Sequence, residues 1–421
     1  MTHPKMLYTY VGIDSHKETH TAVFLNCFCE KLGEITFENL PADFKDFLEK
    51  SQQYKLDGTT LLFGLEDVSL FGRGLTLFLR ANNQPVKHVN AYLVAQERKN
   101  NSYEKSDSVD AECAARCLIY KFDNLPYSED DKRYHVLRTL VVRRNFIMKS
   151  CTSLKTYLHS LLTLDFSDYH KFFSTIDGKT SLAFFAKYPT PNSLNGISID
   201  ELSQLLWEHS GGLLGMARAK MILDTVENLP PVHEINGRVI QSTIAQLKYN
   251  LQELEYTETE LAKVYHEFNV TLTSLTGLDI VAASQFLSCI GDVRKFSIPA
   301  KLARYAGVAP SSHSSGKKDI QFASHRGDRE LNSLFYTLAV RSISTYEPGH
   351  KAFNPFFHNL YHRKRAEGKT KSQSLKCVQR RLVNILWGML TFGEEYVAPP
   401  MISVENYEQK EKPSKKPKKE T

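Results

Sequence analysis

The amino-acid sequence predicts an α/β domain at its N-terminal end and helices through most of the rest, an α/β plus α fold. Two observations carry that expectation. Short runs rich in β-branched and aromatic residues alternate with amphipathic stretches over the first 125 residues. Further on, apolar residues recur in steps of three and four across two long segments, 131–164 and 240–268.

In chain order, Leu7 to Ile13 and Thr21 to Leu25 read as a hairpin, and "EITF" (Glu34 to Phe37) supplies a third short strand. A helix is expected from about Pro41 to Ser51, then the strand "TLLFGLE" (Thr60 to Glu66), a helix from about Leu70 to Asn82 and the strand "VKHV" (Val86 to Val89). Three strands in meander, followed by strands entered through helices, predict a mixed sheet with helices on its faces. The helix over 131–164 sets Val136, Leu140, Ile147, Leu154, Leu158 and Leu161 beside Arg138, Arg143, Arg144, Lys149 and Lys155, which gives it a basic side. "SIDE" at Ser198 to Glu201 is a capping box opening another helix, while the rest of 165–230 shows no clear pattern. The repeat over 240–268 spans about four heptads. It reads either as a coiled-coil seam between subunits or as an internal hairpin with the 131–164 helix. From 271 to 397 the chain reads as globular and mostly helical, interrupted at "APSSHSSGKK". Residues 398–421, rich in lysine and proline, are expected to form a disordered basic tail. The domains so drawn are 1–125, 126–270, 271–397 and 398–421.

Composition narrows the class without choosing it. A chain of 421 residues, 42% hydrophobic, can build two or three domains with real cores. Its net charge of +6 suits a polyanionic partner but also ordinary solubility. The seven cysteines lack paired CxxC spacing, so neither a disulfide framework nor a zinc site is indicated, and a reducing cytoplasm is expected. No apolar run reaches the length of a membrane span, and "MTHPKMLYTY" has no signal-peptide core.

The chemistry centres on acids. Asp14 ends the first strand, Glu66 ends the strand from Thr60, and "KSDSVDAECAARC" sets Asp107 and Asp110 three apart, on one face if the segment is helical. Carboxylates that converge need a counter-charge, and a pair of Mg²⁺ (or Mn²⁺) ions about 4 Å apart supplies it in phosphoryl chemistry. The bland reading makes Asp107 an N-cap and Asp110 the acidic residue of the first turn. His16-Lys17-x-x-His20 reads as a polar hairpin turn. An actin-like or sugar-kinase ATPase also begins with strand, Asp and hairpin, but "GLEDVSLFG" offers bulky residues where a second phosphate loop needs glycine.

Near the far end, "YAGVAPSSHSSGKKDIQFASHRGDRELNSLFY" (Tyr305 to Tyr336) is a Ser- and Gly-rich loop with Lys317, Lys318, Arg326 and Arg329 around it, cations that suit a phosphate. In this order, "GID", "GLE", "KSDSVDA", "TGLD", "LARYAGVAP", "SSG" and "S-x-R-G-x-x-x-L" resemble the DEDD-type transposases of IS110 insertion sequences, the RNA-guided bridge recombinases. The likeness runs from about Met6 to about Val397. It departs at Thr276 to Asp279, "TGLD" where the family has a Gly-rich hairpin, and at Arg326 for a lysine.

The resemblance implies a RuvC-like, ribonuclease-H-type N-terminal domain in which Asp14, Glu66, Asp107 and Asp110 bind the metals. It implies a C-terminal transposase domain with Ser315 as nucleophile, Ser314 being the neighbouring alternative. The implied partners are donor and target DNA, a structured guide RNA and further copies of the chain, as a dimer or tetramer whose composite site draws its halves from different protomers. Lys317, Lys318, Arg326, Arg329, Arg143 and Arg144 are the expected nucleic-acid contacts, and the expected place is the bacterial cytoplasm at the nucleoid. A junction-resolving nuclease that uses water, and a non-catalytic nucleic-acid-binding protein, are the alternatives.

Overall fold

The structure, a computed structural model, describes residues 3–65, 71–101, 105–123, 125–128, 131–166, 168–227, 229–309, 311–315, 318–322, 327–345 and 352–399, with backbone alone at 101, 311–315 and 318–322. The chain divides into two compact units, one drawn from 1–135 and 290–301, the other from 136–289 and 302–421.

In the first unit, β1 (Tyr8–Ser15), β2 (Thr19–Leu25) and β3 (Lys31–Glu38) form the expected antiparallel meander. Helix α1 (Pro41–Ser51) leads to β4 (Thr60–Leu65), α2 (Arg73–Ala81) to β5 (Val86–His88), and α3 (Ala91–Asn101) and α4 (Asp107–Tyr120) follow. The sheet order is β3-β2-β1-β4-β5, with β4 parallel to β1 and β5 parallel to β4. Strict alternation sends Val11, Ile13, Phe24, Phe63 and Leu65 to one face, against Phe44 and Phe47 of α1 and Leu75 and Leu79 of α2. Tyr10, Val23, Leu25 and Leu62 go to the other face, against Ala111, Ala114, Ala115 and Leu118 of α4.

Two glycines set how closely α4 lies on that second face. Gly12 and Gly64 are partners in the β1–β4 register. A Cβ at Gly12 would stand 2.1 Å from the Ala111 carbonyl oxygen and 2.2 Å from the Ala115 nitrogen, so helix backbone rests directly on strand backbone. At Gly64 a Cβ would meet Leu118 side-chain carbons at 2.7 Å. The glycine of "GID" therefore fixes the distance between β1 and the helix that carries Asp107 and Asp110.

In the second unit, α5 (Lys132–Asp165) and α9 (Glu234–His266) are helices roughly 50 Å long. They run antiparallel: Arg143 faces Glu253, Ser150 faces Asn250 and Asp165 faces Asn236. Ile240, Ile244 and Leu247 of the heptad repeat are buried in one core with Ile147, Cys151, Leu158 and Leu162 of α5. At these positions the seam is thus closed within the chain. Helices α6 (Lys179–Lys187), α7 (Ile199–Ser210) and α8 (Met216–Val226) pack on the same core, joined by a cluster of rings that includes Phe166, Phe172, Phe184 and Phe185. Ser198 caps α7 as its sequence suggests, accepting from the Glu201 N–H at 3.1 Å.

Helices α10 (Ile280–Ile290) and α11 (Pro299–Tyr305) follow. At "TGLD", Gly277 takes φ +95°, and Asp279 accepts from the Ala282 N–H at 2.8 Å to cap α10. Strands β6 (Ser311–Ser315) and β7 (Lys318–Phe322) form a two-stranded antiparallel ribbon, so the segment read as an irregular Ser-Gly loop is a β-hairpin. Helices α12 (Arg329–Ile343), α13 (Pro355–Ala366) and α14 (Lys371–Phe392) complete the unit. Among the described residues no helix is long and apolar enough to cross a membrane. The expected basic tail lies, from residue 400 on, outside the described residues.

Candidate metal centre and serine hairpin

Asp14 and Gly12 are two apart on β1 and so share the face that α4 covers. The close approach at Gly12 brings the first turn of α4 over the end of the strand. The helix cap is Ser106, not Asp107: its Oγ accepts from the Val109 N–H at 3.2 Å, leaving Asp107 as the first helical residue and free to face the strand end. Ser108 donates to Glu34 of β3 at 2.6 Å and ties that turn to the sheet.

His16, read from the sequence as part of a polar turn, sits in the β1–β2 turn and does more. Its Nε2 lies 3.0 Å from Asp14 Oδ2 and 3.3 Å from Asp107 Oδ1. The His16 N–H donates to the Thr19 carbonyl at 3.1 Å, and Asn39 Nδ2 donates to the His16 carbonyl at 3.3 Å, so the turn is held from both sides. Asp14, His16 and Asp107 each offer one ligand atom, all within 4.8 Å of one another. Cis ligands of an octahedral ion with bonds of about 2.1 Å are about 3.0 Å apart, so this donor set fits a divalent cation.

The electrostatics agree. Burial raises the pKa of Asp14, His16 opposes the rise, and the carboxylates of Asp110 and Asp107 add to it. For His16 burial acts downward, but Asp14 and Asp107 outweigh it and hold its pKa above the ordinary value. Asp110 is also buried and pairs with Arg98 of α3. Nothing in the sequence around Arg98 marks it as part of a site. His16 did leave a signal: two positions past Asp14, it continues the same strand periodicity. Glu66 lies outside the described residues, which end in β4 at Leu65.

In the second unit, Ser315 is the last residue of β6, with Lys318 as its register partner across a two-residue connection and Ser314 paired with Asp319. The base of this ribbon is tightly built. The Asp328 N–H donates to the Tyr305 carbonyl at 2.7 Å, and Asn332 Nδ2 donates to the Ala306 and Gly307 carbonyls, both at 2.8 Å. Gly327 takes φ +117°, and a Cβ there would stand 2.5 Å from the Gly307 nitrogen. Arg329, the first residue of α12, is exposed. Arg144 is drawn into the helix pair, its Nε 2.8 Å from Glu258, and Arg143 stands 3.5 Å from Glu253. Lys317 and Arg326 lie outside the described residues.

Two family models match the chain: a DEDD transposase model over residues 11–167, and a transposase model of the IS116/IS110/IS902 family over 269–354. An IS116 insertion-element protein of Streptomyces clavuligerus is 24% identical over 93% of this chain and 97% of its own length. An IS900 insertion-element protein of Mycobacterium paratuberculosis is 23% identical over 90% of this chain and 95% of its own. A pilin gene-inverting protein of Moraxella bovis is 29% identical over 37% of this chain and 45% of its own. The mixed sheet with its acidic strand end, together with these matches, defines an enzyme that recombines DNA, a transposase. The chain belongs to the DEDD-type transposases of IS110 and IS116 insertion elements.

Proposed function

We propose that this transposase cuts and rejoins DNA strands through a covalent serine intermediate, with a divalent metal held by Asp14, Asp107, Asp110 and Glu66, under the direction of a structured RNA. The observation that supports it best is the convergence of Asp14, His16 and Asp107 at a strand end, next to a buried Asp110. A divalent cation bound there would stabilise negative charge on a phosphate. Ser315 attacks the scissile phosphorus, the bond to the leaving deoxyribose oxygen breaks, and the serine proton passes to a base. One phosphodiester is exchanged for another, so a second strand's hydroxyl can displace the serine without ATP. Ser315 suits this role in one further respect: it ends a strand beside a two-residue connection, on a ribbon secured at its base by Asp328 and Asn332. In this reading residues 1–125 form the metal-binding domain and 271–397 carry the serine. The helices of 126–270 support an oligomer, and 398–421 serve as a basic tail.

The test is a DNA-linked protein adduct on a denaturing gel, from chain co-expressed with its flanking DNA and given donor and target duplexes. An adduct in the wild type that Ser315→Ala loses is the expected result. Cleaved DNA without adduct in both would replace this reading with a hydrolytic nuclease. That alternative is favoured by Asp14, Asp107 and Asp110, which gather within the first unit.

A further inference from the structure

The acidic centre has two unequal halves. Asp14, His16 and Asp107 face one another with ligand-like separations, while Asp110, one helical turn further along α4, is paired with the Arg98 guanidinium. Both members of that pair are largely buried, and a guanidinium keeps its charge at any working pH. We infer that the centre takes one divalent cation in a mixed oxygen–nitrogen site with His16 as a direct ligand, and that Arg98 supplies the positive charge a second metal would bring at Asp110. This rests on the metal-assisted reading above and narrows it, taking Asp110 out of direct contact with the ion.

Three observations carry the inference. The His16 Nε2 atom lies between the two carboxylates rather than beside one of them, at 3.0 and 3.3 Å, the spacing of neighbouring ligands about an ion. Its turn is pinned by Thr19 and by Asn39, so the imidazole is delivered to this place by the backbone. The charges of the described acids also balance: Asp14, Asp107 and Asp110 bring three negative charges, and one divalent ion with Arg98 brings three positive, Glu66 lying outside the described residues.

A nitrogen donor has a consequence for the choice of metal. Oxygen-only ligands suit Mg²⁺, whereas an imidazole moves preference toward Mn²⁺ and later divalent ions. The centre should therefore bind Mn²⁺ more tightly than Mg²⁺, and the difference should depend on His16. Arg98 is a positioning residue here: it holds Asp110 and keeps a second cation away from it.

The experiment uses the full chain without nucleic acid and Mn²⁺ alone as probe. Electron paramagnetic resonance counts bound ions, and electron spin-echo modulation detects a coordinated ¹⁴N nucleus. One Mn²⁺ per chain with ¹⁴N modulation is expected, and His16→Gln should abolish the modulation and weaken Mn²⁺ binding by about tenfold or more, with a smaller effect on Mg²⁺. Arg98→Gln should admit a second Mn²⁺. Two ions in the wild type, or one ion without ¹⁴N modulation, would overturn the inference, as would modulation that survives His16→Gln. Should Arg98→Gln fail to fold, the wild-type count and the His16→Gln spectrum still decide. The gel assay fails separately: one nitrogen-coordinated ion with no DNA adduct would sink the recombination reading and leave this site standing.

Discussion

At the acidic centre, α4 lies against β1 with no room for a single methyl group at Gly12, whereas the described support of the serine hairpin is at its base, where Gly327 closes on Gly307 and Asn332 spans two carbonyls. The first arrangement sits inside a sheet-and-helix core, so its geometry and the stability of the unit are one property. The second is local, and a change there should move the serine more than it unfolds the protein. Substitutions at matching glycines separate the two cases.

The largest expected effect is at Gly12. All three atoms that a Cβ would strike, the Ala111 oxygen and the Ala115 nitrogen and Cα, are backbone, and no rotamer avoids them. Gly12→Val should cost at least about 3 kcal/mol in urea denaturation of the first unit and abolish Mn²⁺ binding. Gly64→Ala, at the register partner of Gly12 on β4, meets side-chain carbons of Leu118 rather than helix backbone, and should cost about 1 kcal/mol. Equal losses at the two sites would show that helix backbone does not set the spacing.

Next comes Gly327→Ala. The left-handed φ of +117° and the Gly307 nitrogen 2.5 Å away oppose any side chain, for an expected cost of about 2 kcal/mol. Its signature should be a fall in adduct yield with unchanged Mn²⁺ affinity. A loss of Mn²⁺ binding from this change would break the distinction between a packed centre and a locally held ribbon.

The same contrast explains what the sequence could reveal. Strands β1, β2 and β4 announce themselves as apolar runs because both of their faces are buried, and α1 begins at Pro41, whose fixed φ suits the first helical turn. Asp14 could be read as a strand-end acid for the same reason. Strands β6 and β7, "SSHSS" and "KDIQF", carry little intrinsic strand preference; their state comes from pairing with each other. Between residues 165 and 230 the helices α6 to α8 are only 9, 12 and 11 residues long, too short for periodicity to stand out, and the core that unites them draws on α5 and α9, far off in sequence. Arg98 was illegible because its meaning lies in Asp110, on another helix. Asp107 was ambiguous until Ser106 proved to be the cap, since either residue can accept from the first turn.

The smallest effect concerns a carboxylate whose environment is the reverse of Asp14's. Asp177, just before α6, accepts a hydrogen bond from Lys155 of α5 at 2.9 Å, and that bond holds its pKa below the ordinary value. Burial outweighs His16 and lifts Asp14, while the bond from Lys155 outweighs burial and lowers Asp177. A depressed carboxylate pKa means that the unfolded chain takes up the proton first. The stabilisation is therefore fully present above the unfolded value near 3.8 and disappears as pH falls through the lower folded value. Because both side chains are about one-third exposed, solvent screening keeps the contribution to about 0.5 kcal/mol. Asp177→Asn should lower stability by that amount at pH 7 and converge with the wild type in acid below the depressed folded pKa, where both side chains are neutral. Urea titrations at a series of pH values would measure it. A difference that persists unchanged into strong acid would mean that Asp177 contributes through packing rather than through its charge, and the contrast with Asp14 would lose its electrostatic basis.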